Sequence, residues 1–236
     1  MTTQAPLREA RAIIAVMAQK GGVGKSSLCR ALATAAAKDD LKVHIADLNE
    51  KQQTCYEWAH RRRTLNVMPD IPVDVYAGPH QAVIGAGAVD LLIIDAPGET
   101  NPNFLEIARI ADGIIQPTRA RLDDINPAIR LFHELTKAGI AKSKMGLLFY
   151  GIGSAVSERD MRGYVAQTGY PVLQGSIEHM ETYGKAMDGG RSLVETMLPH
   201  LNQSARRVCD EVLARVRKMP PVTPGVTIKR KLAQTG

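Results

Sequence analysis

The segment Lys20-Gly21-Gly22-Val23-Gly24-Lys25-Ser26 decides the fold because of what surrounds it. The apolar run Ala12 to Met17 precedes it, and the alanine-rich stretch Ser26 to Lys38 follows it. A short apolar run predicts a buried strand, and a stretch rich in alanine and leucine predicts a helix. A strand, a glycine-rich loop and a helix in this order are typical of a phosphate-binding loop.

Each residue type in this loop suits contact with a nucleoside triphosphate. Glycines let the backbone turn tightly and bring its N–H groups against phosphate oxygens at the start of a helix. Lys25 is predicted to reach the β and γ phosphates, and Ser26 to place its hydroxyl on Mg²⁺. The predicted nucleotide-binding residues are Gly21, Gly22, Val23, Gly24, Lys25, Ser26 and Ser27.

The loop departs from the usual GxxxxGK[ST] pattern in an informative way. Ala18 stands in place of the first glycine, and Lys20 follows two positions later. The segment therefore resembles the deviant phosphate loop, KGGxGK[ST], of the ParA and MinD group of ATPases. This resemblance, which extends over roughly residues 11 to 218, implies ATP and Mg²⁺ as cofactors. It also implies a homodimer with ATP, in which Lys20 reaches the phosphates bound by the partner subunit.

Two acidic residues follow predicted strands. Asp95 ends the buried run that begins at Leu91, so we expect it at the ligand-binding edge of a parallel sheet, where it holds a water of the Mg²⁺ shell. The alternative for Asp95 is a helix cap at the end of the strand. Asp47 follows the run Val43 to Ala46 in the same way.

The segment after Asp47 resembles the DxDPQ segment of ParA proteins, with a departure. Asn49 occupies the place of the second aspartate, which in the family helps to orient the attacking water, and Trp58 lies one residue farther along than usual. An insertion before Gln52 would match it to the family glutamine and leave Glu50 as a substitute carboxylate. Because an amide cannot accept a proton from water at neutral pH, we expect slow hydrolysis. The predicted catalytic residues are Lys20, Lys25, Asp47 and Asn49.

Seven apolar runs alternate with predicted helices. The runs lie at residues 12–17, 43–46, 73–76, 91–94, 113–116, 145–150 and, more weakly, 171–173. This alternation predicts an α/β fold, with a mostly parallel central sheet and helices on both faces. The resemblance makes it a P-loop NTPase of the ParA/MinD type. Residues 127–138 and 199–218 have apolar side chains at helical spacing and predict two of the helices.

The same patterns divide the chain. We expect a short N-terminal extension at residues 1–11, a single P-loop ATPase domain at 12–218 and a flexible basic tail at 219–236. No stretch approaches the roughly 20 apolar residues of a membrane span, and the start of the chain has no apolar segment before a cleavage site. The expected location is therefore the cytoplasm. The thiols of Cys29, Cys55 and Cys209 are far apart in sequence without a CxxC pair, which favours reduced cysteines over disulfides or a zinc site.

The net charge of +6 is concentrated at the end of the chain, where no acidic residue follows Glu211. A basic end indicates attraction to a polyanion or, equally, a solvated surface. Together with the resemblance, it favours nonspecific DNA as a partner. The predicted DNA-contacting residues are Arg206, Arg207, Arg215, Arg217 and Lys218, with Arg61, Arg62 and Arg63 as a second cluster.

The resemblance implies a ParA-like ATPase that segregates or positions plasmid or chromosomal DNA. Its expected partners are a second copy of the chain, nonspecific DNA and a ParB-like or centromere-binding adaptor, and its expected location is the bacterial nucleoid. Alternatives are a MinD-like ATPase acting at a membrane, an ATPase that positions a protein assembly, and a small-molecule kinase or synthetase of the same fold. The membrane alternative is weaker, because residues 199–218 contain no Phe or Trp for insertion.

Overall fold

A single parallel sheet organises the molecule. The computed structural model describes residues 9–98 and 103–217. Its seven strands are ordered β3-β2-β4-β1-β5-β6-β7, and every neighbouring pair is parallel. The strands are β1 (Ala12–Val16), β2 (Val43–Asp47), β3 (Val73–Val75), β4 (Leu91–Asp95), β5 (Gly113–Thr118), β6 (Met145–Ile152) and β7 (Val172–Glu178).

Helices connect the strands and cover both faces of the sheet. They are α1 (Lys25–Lys38), α2 (Thr54–Thr64), α3 (Pro79–Gly85), α4 (Phe104–Ile110), α5 (Leu122–Lys137), α6 (Ala155–Ala166), α7 (Glu181–Asp188) and α8 (Pro199–Arg217), with a short 3₁₀ turn at Lys142–Lys144. Among the described residues, no helix is both long and apolar enough to cross a membrane. The predicted fold class, an α/β sheet of the P-loop NTPase type, is confirmed.

The central strands are apolar throughout because helices cover both of their faces. In β1, Ile14 packs into the core formed with α1, α2 and α8, whereas Ile13 packs into the core formed with α3, α4, α5 and α6. All five residues of β1 are buried, and so are all five of β4. Burial on both faces explains why these segments lack the polar alternation of a half-exposed strand.

The two ends of the chain fall partly outside the described residues. The expected extension at 1–11 is described only from residue 9, and the expected tail at 219–236 lies wholly outside. The single domain expected at 12–218 therefore stays a prediction, although all seven strands belong to one sheet.

The start of α5 differs from the sequence-based expectation. The helix begins at Leu122, five residues before the predicted start at Pro127, and Pro127 lies inside it. Asp123 and Asp124 occupy its first turn, where the positive end of the helix dipole favours carboxylates. Proline is commonest in the first turn of a helix, so a start at Pro127 was the natural expectation, but the structure tolerates it one turn later.

Arg62 is a structural residue and not part of a basic surface, so its assignment to the second DNA-contacting cluster is wrong. Its side chain is fully buried and contacts both carboxylate oxygens of Glu195, at 2.7 and 2.9 Å. It also donates to the carbonyls of Gly190 and Pro69 and lies over the ring of Trp58. Helical geometry turns the middle of three consecutive arginines inward while Arg61 and Arg63 remain exposed.

We expect Arg62→Ala to lower the free energy of unfolding by about 3–5 kcal/mol, because it leaves the Glu195 carboxylate buried without its two-point partner. Arg63→Ala is the matched control. The Arg63 side chain is exposed and lies 3.8 Å from Asp70, an ion pair of the kind that contributes about 0–1 kcal/mol. Urea denaturation of both variants measures the difference, and equal losses would contradict this account of Arg62.

Candidate nucleotide and metal site

The predicted phosphate loop connects β1 to α1 and forms one wall of a cleft of about 1300 Å³. Gly22 and Gly24 have φ angles of 70° and 97°, which residues with a side chain rarely adopt, and Gly24 is the N-cap residue immediately before α1. The other predicted nucleotide-binding residues of the loop line the cleft, except Val23, whose side chain is buried. The loop therefore presents backbone N–H groups and the start of a helix to the cleft, an arrangement that binds anions.

Lys25 is the first residue of α1 and points its charge toward the end of β4. Burial lowers the pKa of its ammonium group, and the nearby negative charge of Asp95 partly opposes this effect. A partly buried cation at this position attracts anionic ligands more strongly than a solvated one. This placement agrees with the predicted role of Lys25 toward phosphates.

Asp95 lies at the carboxyl end of β4, as predicted, and is almost fully buried. Burial, reinforced by the charge of Asp47, raises the pKa of its carboxyl to about 6, and a hydrogen bond with the Ser26 side chain opposes the shift. One oxygen, Oδ2, accepts a contact from the Cys55 thiol at 3.2 Å, while Oδ1 has no hydrogen-bond partner among the described residues. A hydroxyl and a carboxylate with a free buried oxygen fit Mg²⁺ and its water shell.

Asp47 lies beside Asp95 because β2 and β4 are paired in register at these two residues. Its Oδ1 accepts the backbone N–H of Asn49, and its Oδ2 accepts those of Cys55 and Tyr56. Burial raises the pKa of the Asp47 carboxyl, and these N–H donors oppose the rise. The visible contacts of Asp47 thus hold the loop and the first turn of α2 in place.

Asn49 lines the cleft but is occupied locally. Its amide nitrogen donates to Oε1 of Gln52 at 2.9 Å, and its oxygen accepts the Gln52 backbone N–H at 3.2 Å. Glu50 is exposed and also lines the cleft. The structure therefore brings the whole 49–52 segment to the nucleotide cleft, and the catalytic assignments of Asp47 and Asn49 stay predictions.

Lys20 forms an ion pair within its own chain. Its ammonium group lies 2.6 Å from Oδ1 of Asp124, in the first turn of α5. The Lys20 side chain is 48% exposed, whereas that of Asp124 is 5% exposed. The lysine therefore remains accessible while its partner is fixed in the protein.

Sequence reasoning missed two residues that line the cleft, Arg119 and Tyr150, and one that is buried beneath it, Cys55. Cys55 contacts Asp95 from the first turn of α2, and Arg119 donates to the carbonyl of Gly22 in the phosphate loop. Tyr150, near the end of β6, packs its ring against Gly24 and hydrogen-bonds the Ser27 side chain. The available signal for Arg119 and Tyr150 was their position just after or near the carboxyl end of a strand, where the ligands of parallel sheets bind.

The predicted DNA-contacting residues of α8 differ in their surroundings. Arg206 pairs with Asp39 and Asp210, and Arg217 pairs with the same two carboxylates. Arg207 is exposed and has no ion-pair partner among the described residues. The side chain of Arg215 and all of Lys218 lie outside the described part of the chain.

The CobQ/CobB/MinD/ParA nucleotide binding domain matches residues 14–194. The chain belongs to this family. The resemblance to ParA and MinD proteins is thereby confirmed, and the matched domain is a nucleotide-binding domain. A comparison with curated protein sequences finds no match.

Solved structures with the same fold come from several organisms. The MinC:MinD cell division complex of Aquifex aeolicus has a TM-score of 0.68 at 16% identity, over 86% of this chain and 96% of that chain. MinD with Mg-ADP from Pyrococcus horikoshii OT3 scores 0.66 at 19% identity, over 85% and 95%. A proposed plasmid partition protein of Borrelia burgdorferi B31, bound to AMPPNP, scores 0.67 at 14% identity, over 86% and 99%. At these identities the likeness shows the fold alone.

We expect Gly24→Ala to weaken nucleotide binding by at least about tenfold, equivalent to about 1.4 kcal/mol. The φ of 97° strains any side chain, and an added Cβ would lie 2.5 Å from the Tyr150 ring. Gly163→Ala is the control, because Gly163 is exposed in α6 and an added Cβ meets nothing within 4 Å. Titration with a fluorescent ATP analogue measures both, and unchanged binding by Gly24→Ala would contradict the assigned geometry.

Proposed function

We propose that the protein is a ParA-like ATPase that forms an ATP-dependent dimer, binds nonspecific DNA and releases it after slow hydrolysis, thereby segregating or positioning DNA. The observation that carries this proposal is Lys20, a second lysine in the phosphate loop, whose side chain is half-exposed and pairs with Asp124. A lysine that contacts only the phosphates of its own subunit has no need of such exposure. A lysine that contacts the phosphates of a second subunit has to extend across the interface.

The nucleotide site assigns a distinct task to each residue. Backbone N–H groups of residues 21–24 and the start of α1 hold phosphate oxygens, and the Lys25 ammonium offsets their charge. The Ser26 hydroxyl and the Asp95 carboxylate would hold Mg²⁺ and its waters, and the ion would neutralise charge on the phosphates. Because Asp95 is buried beside Asp47, the site favours a cation over a second anion.

Hydrolysis is proposed to be slow and stimulated by a partner. Asn49 stands where the family has a carboxylate, and an amide cannot take a proton from water at neutral pH. The Asn49 amide is also engaged with Gln52. Asp47 is buried with both oxygens accepting backbone N–H groups. A ParB-like or centromere-binding adaptor that rearranges the 49–52 segment would then control the lifetime of the ATP state.

The ion pair of Lys20 with Asp124 supplies the switch in this proposal. In the single chain the carboxylate satisfies the lysine, so an incoming γ phosphate of a second subunit must compete for it. A triphosphate presents one more phosphate, and therefore more negative charge, than a diphosphate, so the exchange favours the ATP-bound dimer.

Lys20→Ala should abolish the ATP-dependent dimer, because the partner phosphates lose their cation. Asp124→Asn should tighten that dimer by about two- to fivefold, because a half-exposed ion pair of about 0.5–1 kcal/mol no longer competes. Analytical ultracentrifugation with ATP, ADP and no nucleotide measures both effects. Lys137→Ala, at an exposed position on the same α5 helix, is the control. A dimer and an ATPase rate that Lys20→Ala leaves unchanged would count against the role of Lys20.

The DNA-binding surface is proposed to lie on α8 and to include Arg207. Arg206 and Arg217 already neutralise Asp39 and Asp210, so their charges attract phosphates less than an unpaired guanidinium does. Arg207 is exposed on the same helix and has no such partner among the described residues. This contrast separates the basic residues that hold α8 against the protein from one that is available to DNA. Binding to nonspecific DNA would keep the protein at the nucleoid.

Binding to a nonspecific duplex should require ATP and should weaken steeply with salt. Arg207→Ala should reduce the slope of log K against log salt by about 1, whereas Arg206→Ala should leave that slope unchanged. Fluorescence anisotropy with ATP, ADP and no nucleotide measures the slope. Flotation with phosphatidylglycerol vesicles runs in parallel. Vesicle binding without duplex binding in any nucleotide state would replace this proposal with a MinD-like membrane role.

A further inference from the structure

We propose that Asp47, Cys55 and Asp95 form a binding site for a thiophilic divalent cation of the Zn²⁺ class at the base of the phosphate loop. Metal binding at this site does not depend on DNA, dimerisation or hydrolysis. The metal-binding experiments below succeed or fail whatever the fate of the proposed function.

The three ligands come from separate elements that the fold brings together. Asp47 and Asp95 end the neighbouring strands β2 and β4, and Cys55 is the second residue of α2. One ligand atom from each of the three residues lies within 4.8 Å of the other two. The Cys55 Sγ is 3.2 Å from Oδ2 of Asp95. Ligand atoms of a tetrahedral zinc site, with Zn–S of about 2.3 Å and Zn–O of about 2.1 Å, are about 3.6 Å apart, so small movements suffice.

The carboxylates retain the capacity to bind a cation. Oδ1 of Asp95 is buried without a hydrogen-bond partner among the described residues. The Asp47 carboxylate accepts three backbone N–H groups, and a carboxylate offers about four acceptor sites, so one remains. An unpartnered buried oxygen beside a second acid is costly unless a positive charge is available.

Cys55 determines the class of metal. Mg²⁺ prefers an all-oxygen shell, whereas a thiolate selects softer ions such as Zn²⁺. Burial raises the pKa of the Cys55 thiol, and a hydrogen bond with Cys29 in α1 partly opposes the rise. A bound metal ion would offset the cost of a buried thiolate. On binding, the Cys55 S–H bond breaks, the sulfur forms a bond to the metal and the proton leaves to solvent. Three protein ligands leave a fourth position for a water or the Ser26 hydroxyl.

Asp95 belongs both to this set and to the predicted Mg²⁺ site. A thiophilic ion held by Asp95 would therefore compete with nucleotide-bound Mg²⁺ for the same carboxylate. The expected consequence is antagonism, in which Zn²⁺ and Mg-ATP each weaken the binding of the other.

Titration of the purified full chain with Co²⁺, a spectroscopic stand-in for Zn²⁺, tests the site directly. We expect a thiolate-to-cobalt charge-transfer band with one equivalent of ion, and its loss when Zn²⁺ is added. Cys55→Ser should abolish the band and weaken Zn²⁺ binding by at least about tenfold. Mutating even a residue that only hydrogen-bonds to a metal ligand lowers metal affinity by about 10- to 100-fold. Cys209→Ser, which removes another buried thiol from α8, should leave the band intact.

Absence of the band in the unmodified chain would overturn the proposal without any variant. So would a band that persists in Cys55→Ser, or one that Cys209→Ser removes. Asp95→Asn provides a second test if Cys55→Ser does not fold, and it should weaken Zn²⁺ binding to a similar extent. Circular dichroism spectra identify variants that have lost the fold.

Discussion

The pairing of β2 with β4 brings the Asp47 and Asp95 carboxylates side by side in a buried place. The contacts of the loop after β2, of α2 and of the nucleotide cleft depend on this constraint. Two like charges removed from water destabilise a protein unless donors and cations surround them. Asp47 is stabilised by backbone N–H groups from the loop that follows β2, and these bonds also hold the start of α2. Asp95 is stabilised less: among the described residues it has contacts with Ser26 and Cys55 and the more distant charge of Lys25. The site is therefore arranged around a deficit of positive charge.

This deficit favours the binding of cations at this edge of the cleft. A bound Mg²⁺ would supply the missing charge at Asp95, and the Lys25 ammonium offsets part of the deficit without the ion. Lys20 is diverted to Asp124 in the single chain, so it does not contribute to the charge at Asp95. How well the buried carboxylates are stabilised thus depends on which cation lies beside them.

The fold could be predicted from the sequence to a large extent because its signals are local. Six of the seven apolar runs match strands closely, and the weak run at 171–173 overlaps only the start of β7. The glycine loop lies between β1 and α1 as predicted. The predicted start of α5 at Pro127 was wrong because proline is preferred at the start of a helix but is not confined to it. The assignment of Arg62 to a DNA-contacting cluster was wrong because three consecutive arginines differ only in the direction each side chain faces, which the packing of α2 determines.

Within the site, the loop residues and Asp95 could be predicted because strand ends converge on one edge of a parallel sheet. Cys55 could not, since its nearest cysteine in space, Cys29, is far from it in sequence. A pattern search for paired cysteines sees neither this neighbour nor the two carboxylates. The partner of Lys20 could not be predicted for the same reason, because Asp124 is far from Lys20 in sequence and lies beside it only in the folded structure.

The chain has a single tryptophan, and its position gives the protein an optical reporter. Trp58 is buried in α2, one helical turn after Cys55, and its indole N–H donates to the carbonyl of Arg191 at 2.8 Å. Two guanidinium groups, those of Arg30 and Arg62, lie over its ring. Indole emission responds to nearby charge and to hydrogen bonding. Any event that shifts the first turn of α2 therefore changes the fluorescence of one identifiable residue, without a label.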